Sequence, residues 1–436
     1  MAADPSTQTT IDLLRAYESQ NVTLMAEDGS WPIVWQRAEG VTVWDAEGNE
    51  YLDLTAAFGV AATGHANKNV VAAGQRQMGV LLHAMGDVHP HAGKALLAQA
   101  LSDRTFARWT TGTSNPTTGK VVFCNAGFEA VEVAMKTAAL ATRRPGVIAF
   151  SGAYHGLGYG TLNVTDKSLY RGPFGQQLRG FGHFVPFPTT DIELEFTIQS
   201  IHRLCKEHSI GAVLAEPVQG RGGIRIPPPT FVSELRRVCD DDGLVLIVDE
   251  IFTGFGRTGR WFAVEHSATV PDVVCLGKGL TGGFPLSACV GRASLMDGAW
   301  PPATGDPIHT TTYMAHPVGC AMALAQIAEI ENADLVNHAA NLGRVLSASL
   351  ERLQGSARRR VSTRSIGLLG GIEFLTEDGA PDSSGAIRVV EEMLRRGFIL
   401  LPDGVEANVV TLSPPLTITE PELLRALSEI ADVIGT

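Results

Sequence analysis

Val273-Val-Cys-Leu-Gly-Lys-Gly-Leu-Thr-Gly-Gly283 is the stretch on which the reading of this chain turns. A short apolar run ends at Lys278, which stands between two glycines. Such a strand end delivers a primary amine to the edge of a sheet. It leaves a desolvated backbone behind the amine and room in front for a flat carbonyl compound, which is what a lysine that attacks aldehydes needs. Taken alone, Gly-Lys-Gly more readily describes a surface lysine in a flexible turn, and only the rest of the chain reverses that reading.

Four other apolar runs stop as abruptly. Residues 121–124 precede Asn125-Ala-Gly, 147–150 precede Ser151-Gly, 212–215 precede Glu216-Pro, and 244–248 precede Asp249-Glu250. Helical periodicity fills the intervals, as over 129–141 and 231–240. Continuous apolar strands alternating with helices predict an α/β fold with a mainly parallel sheet covered on both faces. Ligands of such sheets lie beyond the carboxyl ends of the strands, where these polar residues fall.

The flanks read differently. A short helix is expected over 11–19, an antiparallel hairpin over 40–54 around Glu47-Gly-Asn49, and helices over 70–84 and 91–101. After residue 317 one helical run to 353, a strand over 371–374, a helix over 384–396 and a last helix from 420 are expected. The order suggests a large domain over 61–320, with 1–60 and 321–436 combining into a smaller α+β domain.

A chain of 436 residues with 44% hydrophobic and 18% charged residues describes a globular protein with a large interior. Its net charge of -12 argues against nucleic acid and anionic membranes as partners. The six cysteines form no Cys-x-x-Cys pair and several sit in apolar runs, so they are expected to be reduced and structural, and no metal is expected. The N-terminus has neither a basic start nor an apolar segment, and no uncharged apolar stretch is long enough to span a bilayer. A cytoplasmic location is the expectation.

Four features at the strand ends suit one kind of ligand. Asn125-Ala-Gly-Phe-Glu-Ala-Val-Glu132 follows a strand and opens a helix, where backbone N–H groups and the helix dipole favour a phosphate. A tight strand-to-helix turn would need Gly127 anyway. Tyr154 and His155 place an aromatic ring at the next strand end, able to stack on a heterocycle or simply to close a loop. Asp249 is costly to bury without a positive partner. A protonated pyridine nitrogen would be one, and a structural arginine or a helix cap would serve as well. Ile251 lies on the same face two residues on and could cover the ring opposite Tyr154.

In order and spacing these segments resemble the class III pyridoxal-phosphate aminotransferases of fold type I. The resemblance rests on Asn125-Ala-Gly-Phe-Glu-Ala130, Tyr154-His-Gly156, Glu216-Pro-Val-Gln-Gly220, Asp249-Glu-Ile-Phe-Thr-Gly-Phe-Gly-Arg-Thr-Gly259, Gly277-Lys-Gly279 and His309-Thr-Thr-Thr-Tyr313. It runs from the N-terminal hairpin to Ser413-Pro-Pro-Leu-Thr-Ile-Thr419. It implies a pyridoxal 5'-phosphate cofactor held as a Schiff base on Lys278, which also shuttles the substrate proton. Asp249 would pair with the pyridinium nitrogen, and Tyr154 and Ile251 would sandwich the ring. Gly127 and Phe128 would give N–H groups to the phosphate, His155 would adjoin the cofactor, and Glu216 would support the bonding around its 3-oxygen. Thr312 would reach the phosphate of the neighbouring subunit, making the site a product of a homodimer.

Three positions depart from the family pattern. Phe128 stands where a small hydroxyl residue is usual, and Val131 where asparagine is common. Many members also pair a glutamate just after Glu-Pro-x-Gln-Gly with an arginine three residues before the Pro-Pro near the C-terminus. This chain has Arg221 and Thr411 there. Arg221 either binds a substrate acid, for which its fork is suited, or faces solvent. The departures weaken the case for 2-oxoglutarate as acceptor and strengthen that for pyruvate or an unusual carbonyl compound such as a keto sugar. The expected activity is ping-pong transfer of an amino group from a primary amine, ω-amino acid or amino sugar to a keto acid or aldehyde. A racemase, epimerase or aminomutase of the same fold would need the same lysine and aspartate, and a non-catalytic cofactor-binding protein is the third reading.

Overall fold

Val245-Leu-Ile-Val-Asp249 is buried along its whole length, so the strand it forms needs cover on both sides. In the computed structural model, which describes residues 6–26, 31–356 and 359–435, that cover comes from two sets of helices. Val245 and Ile247 pack with Ala130, Val131 and Ala134 of the helix Gly127–Thr142. Leu246 and Val248 join a cluster with Leu235 and Val238 of the helix Phe231–Asp242 on the other face. The period of two along the strand therefore divides the interior into two apolar layers.

The strands in chain order are β1 (Trp35–Glu39), β2 (Thr42–Asp45), β3 (Glu50–Asp53), β4 (Gly119–Cys124), β5 (Gly146–Phe150), β6 (Gly182–Val185), β7 (Ile210–Ala215), β8 (Val245–Asp249), β9 (Val273–Leu276) and β10 (Ser287–Arg292). They are followed by β11 (Arg360–Ile366), β12 (Leu369–Leu375), β13 (Phe398–Ile399), β14 (Leu401–Asp403) and β15 (Val409–Leu412). The central sheet has seven strands in the order β4-β10-β9-β8-β7-β5-β6. Only β10 runs against its neighbours. The loop that joins it to β9 is too short for the crossover a parallel pair requires.

The apolar runs read from the sequence are β4, β5, β7, β8 and β9. Two strands of this central sheet were not anticipated. β6 lies at the sheet edge and is only half-buried, while glycine and small residues interrupt the apolar pattern of β10. The expected hairpin is present as β2–β3, and its sheet is completed by β13, which pairs parallel to β3 through Phe398 and Leu52. The two ends of the chain thus share one sheet. The single helical run expected after residue 317 is two helices, Pro317–Asn332 and Leu335–Ser356. Asp334 between them has φ 49°, a left-handed conformation that aspartate tolerates better than most residues. All six cysteines are free thiols, five of them buried. No helix of the described residues is long and apolar enough to cross a membrane.

Arg257 fastens the loop after β8 to the C-terminal sheet. Its guanidinium is almost fully buried and donates to the carbonyls of Leu368 (3.1 Å) and Pro414, while the Leu368 N–H returns a bond to the Arg257 carbonyl at 3.0 Å. Two glycines permit this approach. A Cβ on Gly367 would lie 2.3 Å from the Thr258 carbonyl carbon, and one on Gly343 would lie 2.7–2.9 Å from the Gly367 backbone. Alanine at a helical position such as Gly343 ordinarily adds about 1 kcal/mol of helix propensity. Here the clash is with backbone that cannot rotate away, and overpacking of that kind costs about 1–3 kcal/mol. Gly343→Ala is expected to lower the urea midpoint, and a midpoint at or above that of the parent would contradict the close-packing account.

Candidate active site

Because the strands around it are parallel, their carboxyl ends open on one edge of the sheet. Gly127 follows β4, Tyr154 follows β5, Glu216 follows β7, Asp249 ends β8 and Lys278 follows β9. These five residues line one cavity of about 320 Å³, together with Phe128, His155, Arg221 and Ile251. Phe252, Thr253 and Leu157 complete the wall.

Charges dominate its floor. Asp249 is 5% exposed. The Nδ1 of His155 donates to its Oδ2 at 2.8 Å, and the Ile251 N–H donates to its Oδ1 at 3.0 Å. The His155 N–H is bonded to the Thr165 hydroxyl at 3.0 Å, while its buried Nε2 has no partner among the described residues. Glu216 accepts the N–H groups of Tyr154 and Gly220, each at 3.1 Å. Burial outweighs those bonds and pushes its carboxyl up to about 7.

Lys278 has φ 35°, a left-handed conformation that is strained for a residue with a side chain. Its Nζ lies 4.1 Å from the centre of the Phe252 ring. Burial holds its ammonium down at about 8, against the opposing pull of Asp249 and Glu216. An amine so placed is largely neutral in mildly alkaline solution and correspondingly nucleophilic.

The opposite end of the cavity begins the helix Gly127–Thr142, whose first N–H groups have no acceptor within the helix. The Glu129 carboxylate takes the N–H groups of Asn125 (2.7 Å) and Ala126 (2.9 Å), so those of Gly127 and Phe128 are the next available to an anion. A Cβ on Gly127 would touch Ile251 at 3.0 Å, so glycine there lets the isoleucine close over the cavity. Phe128 is accommodated in the same way. A Cβ on Gly156 would lie 2.3 Å from that of Phe128, and one on Gly158 would lie 2.5 Å from its ring. Val131 is fully buried in the apolar layer under the helix, where an asparagine would need a partner for its amide. An anion cradle, a buried acid, a narrow slot between them and a lysine that deprotonates easily fit a flat phosphorylated heterocycle that carries an aldehyde.

Nine of the ten site residues expected from the sequence meet in this cavity. Thr312 does not line it and is exposed on its own chain. Arg221 is partly buried rather than turned fully to solvent. It lines the cavity with its guanidinium 5.5 Å from the centre of the Tyr154 ring and its Nε 3.2 Å from Asp403 Oδ1. The Thr411 hydroxyl donates to the other oxygen of Asp403 at 3.0 Å. Asp403, Phe252 and Lys167 escape sequence reasoning. Asp403-Gly404 reads as a turn, and only the folding of β14 against β15 brings it beneath Arg221.

Comparison with known proteins agrees with this geometry. Residues 24–434 match the family described as Aminotransferase class-III. The chain is 36% identical over 410 residues to a 5-aminovalerate aminotransferase of Pseudomonas aeruginosa, covering 92% of this chain and 93% of the relative. It is likewise 36% identical over 415 residues to a 4-aminobutyrate aminotransferase of Escherichia coli, with the same coverage of 92% and 93%. Among solved structures, an amine transaminase from an uncultivated Pseudomonas species superposes with a TM-score of 0.87 at 28% identity, over 96% of this chain and 98% of that one. The chain belongs to the class III aminotransferases, and it is a pyridoxal-phosphate-dependent aminotransferase of fold type I.

Proposed function

We propose that this aminotransferase takes its amino group from a primary amine, an ω-amino acid or an amino sugar and passes it to a keto acid or aldehyde, with Lys278 and Asp249 as the catalytic residues. The observation that carries this reading is a lysine held near neutrality in the same cavity as a buried aspartate, with a guanidinium opening onto that cavity. Two relatives are named for 5-aminovalerate and 4-aminobutyrate, which bear an amine at one end and a carboxylate at the other. That pairing matches an amine-reactive lysine and an arginine facing one space. No relative reported above is an isomerase.

Each side chain has a task. The N–H groups of Gly127 and Phe128 would hold the phosphate, and Tyr154 and Ile251 would flank the ring. Asp249, held in position by the His155 Nδ1 and the Ile251 N–H, would pair with the ring nitrogen. Glu216 would support the bonding around the 3-oxygen, and Arg221 would receive a substrate carboxylate. Pyridoxal phosphate supplies, when bound, an electron sink for the carbon that bears the amino group. Lys278 would provide the amine that carries the cofactor, and its free amine would hold and return the proton of that carbon. Phe252, whose ring lies 4.1 Å from Nζ, would limit water around the amine.

The site reads as part of a homodimer, with Thr312 reaching the phosphate of the neighbouring subunit. Two segments support this. Val80, Leu82, Met85 and Val88 are exposed in one, and Ile308 and Tyr313 in the other. A bond from the Thr310 hydroxyl to Asp87 (2.6 Å) ties the two together into a single apolar face. Residues 61–320 form the cofactor-binding unit in this reading and 1–60 with 321–436 the smaller one, in a cytoplasmic enzyme.

Lys278→Ala is expected to lower turnover by about 10²–10⁴-fold and to abolish the absorbance of lysine-bound cofactor. Retention of both would remove Lys278 from the mechanism. The depressed value of Lys278 gives a sign in pH. The amine is protonated below about 8 and free above it, so capture of pyridoxal phosphate by the cofactor-free protein speeds up as pH rises through that value and then levels off. A rate that is flat or falls across this interval would count against the assignment. Mixing the loaded enzyme with 4-aminobutyrate, 5-aminovalerate, a simple amine and an amino sugar should convert it to a stable aminated form with at least one donor. If the starting spectrum returns, with solvent deuterium in the recovered amine, the reaction is an isomerisation instead.

A further inference from the structure

Arg221 is held more loosely than a structural arginine. Its Nε lies 3.2 Å from Asp403 Oδ1, yet off the line of a hydrogen bond, so both of these buried atoms remain without a bonded partner among the described residues. The guanidinium's one hydrogen bond among the described residues is a long one, 3.5 Å to the Tyr170 hydroxyl. With its side chain 35% exposed on the cavity, most of its donors are unused. Arg257 shows the contrast, clamped by two backbone carbonyls.

A second cation belongs to the same cluster. The Lys167 Nζ donates to the Gly404 carbonyl at 3.2 Å and lies 5.9 Å from the centre of the Tyr170 ring. The Gly404 N–H in turn donates to the Arg221 carbonyl at 3.2 Å. Two cations therefore share one largely buried carboxylate, Asp403, and the exposed Glu406. Burial and the neighbouring Arg221 together hold the Lys167 ammonium below its usual range, against the opposing pull of Asp403 and Glu406.

We propose that Arg221 and Lys167 form a seat for the substrate carboxylate, and that Asp403 is a resident carboxylate that occupies Arg221 until the substrate's acid displaces it. This inference rests on the aminotransferase reading above and names the acid half of its substrates. A planar fork with free N–H groups matches an incoming carboxylate in two-point contact, and Lys167 adds a point charge. When the substrate is an amine without an acid, Asp403 keeps Arg221 neutralised, so no unpaired cation faces the apolar tail. One cavity can then accept ω-amino acids, keto acids and uncharged amines in turn. Asp403 acts through Arg221 and is a positioning residue.

The test needs no turnover. Loaded enzyme is titrated calorimetrically with propionate and with its uncharged amide, propionamide. Propionate is expected to bind more tightly than the amide, and Arg221→Met to weaken it by about 10–100-fold, the range of a charge-assisted pair. Arg221→Lys should retain part of that affinity, and Lys167→Met should cost up to about fivefold. Asp403→Asn should strengthen propionate binding, whereas loss of a merely structural carboxylate would weaken it. Equal affinity of the parent for the two ligands would overturn the proposal. So would an unchanged preference in Arg221→Met, or weaker propionate binding in Asp403→Asn. Failure of the aminotransferase reading is seen separately, as donors that leave the cofactor spectrum unaltered while propionate still binds.

Discussion

Burying Asp249 beside Glu216 and Lys278 is the constraint around which the molecule is arranged. An isolated carboxylate in an apolar interior is far costlier than any single contact can offset, so fixed donors have to surround it. His155 and the Ile251 N–H supply them, and the Thr165 hydroxyl fixes the backbone of His155 in turn. The same low dielectric that penalises Asp249 holds Lys278 near neutrality and raises Glu216 toward neutral pH. Fixed donors thus hold the Asp249 carboxyl in place, while burial leaves Lys278 an amine that is easily deprotonated, and both face one cavity.

The backbone makes room for those charges by close approach. Parallel strands gather their carboxyl ends at one edge, and the helix after β4 points its free N–H groups at the same space. Gly127 lets Ile251 close over the slot, Gly156 and Gly158 admit Phe128, and Gly220 admits Phe252, whose ring a Cβ there would meet at 2.4 Å. Phe128 and the glycines opposite it are one packing solution, so the departure at that position is absorbed locally. Val131 is explained just as locally, by the apolar layer it fills.

The outer wall follows another logic. Arg221, Lys167, Asp403 and Thr411 come from four separate segments and meet around one carboxylate. The inner residues are held by direct, well-aligned bonds, while this cluster leaves donors of Arg221 unused. Rigid contacts suit a cofactor that stays, and loose ones suit substrates that alternate.

Much of this was legible in the sequence because the signals are local. An apolar run ending in Asp249, a glycine-flanked Lys278 and Asn125-Ala-Gly before a helical period each need only a few neighbouring residues to be recognised. Nine of the ten expected site residues are consequently found in the cavity. What stayed hidden depends on contacts between distant segments. The edge strand β6 and the antiparallel β10 lack a strong pattern of their own and exist because neighbours pair with them. Asp403 carries no sign of its role in a turn-like Asp-Gly, and Arg221 could not be told from a solvent-facing arginine until β14 brought a carboxylate to within 3.2 Å of it. Chain-local chemistry determined the fold class and the floor of the site. Only tertiary packing decided the polarity of its outer wall, because an ion pair between segments far apart in the chain is a property of their meeting and of neither alone.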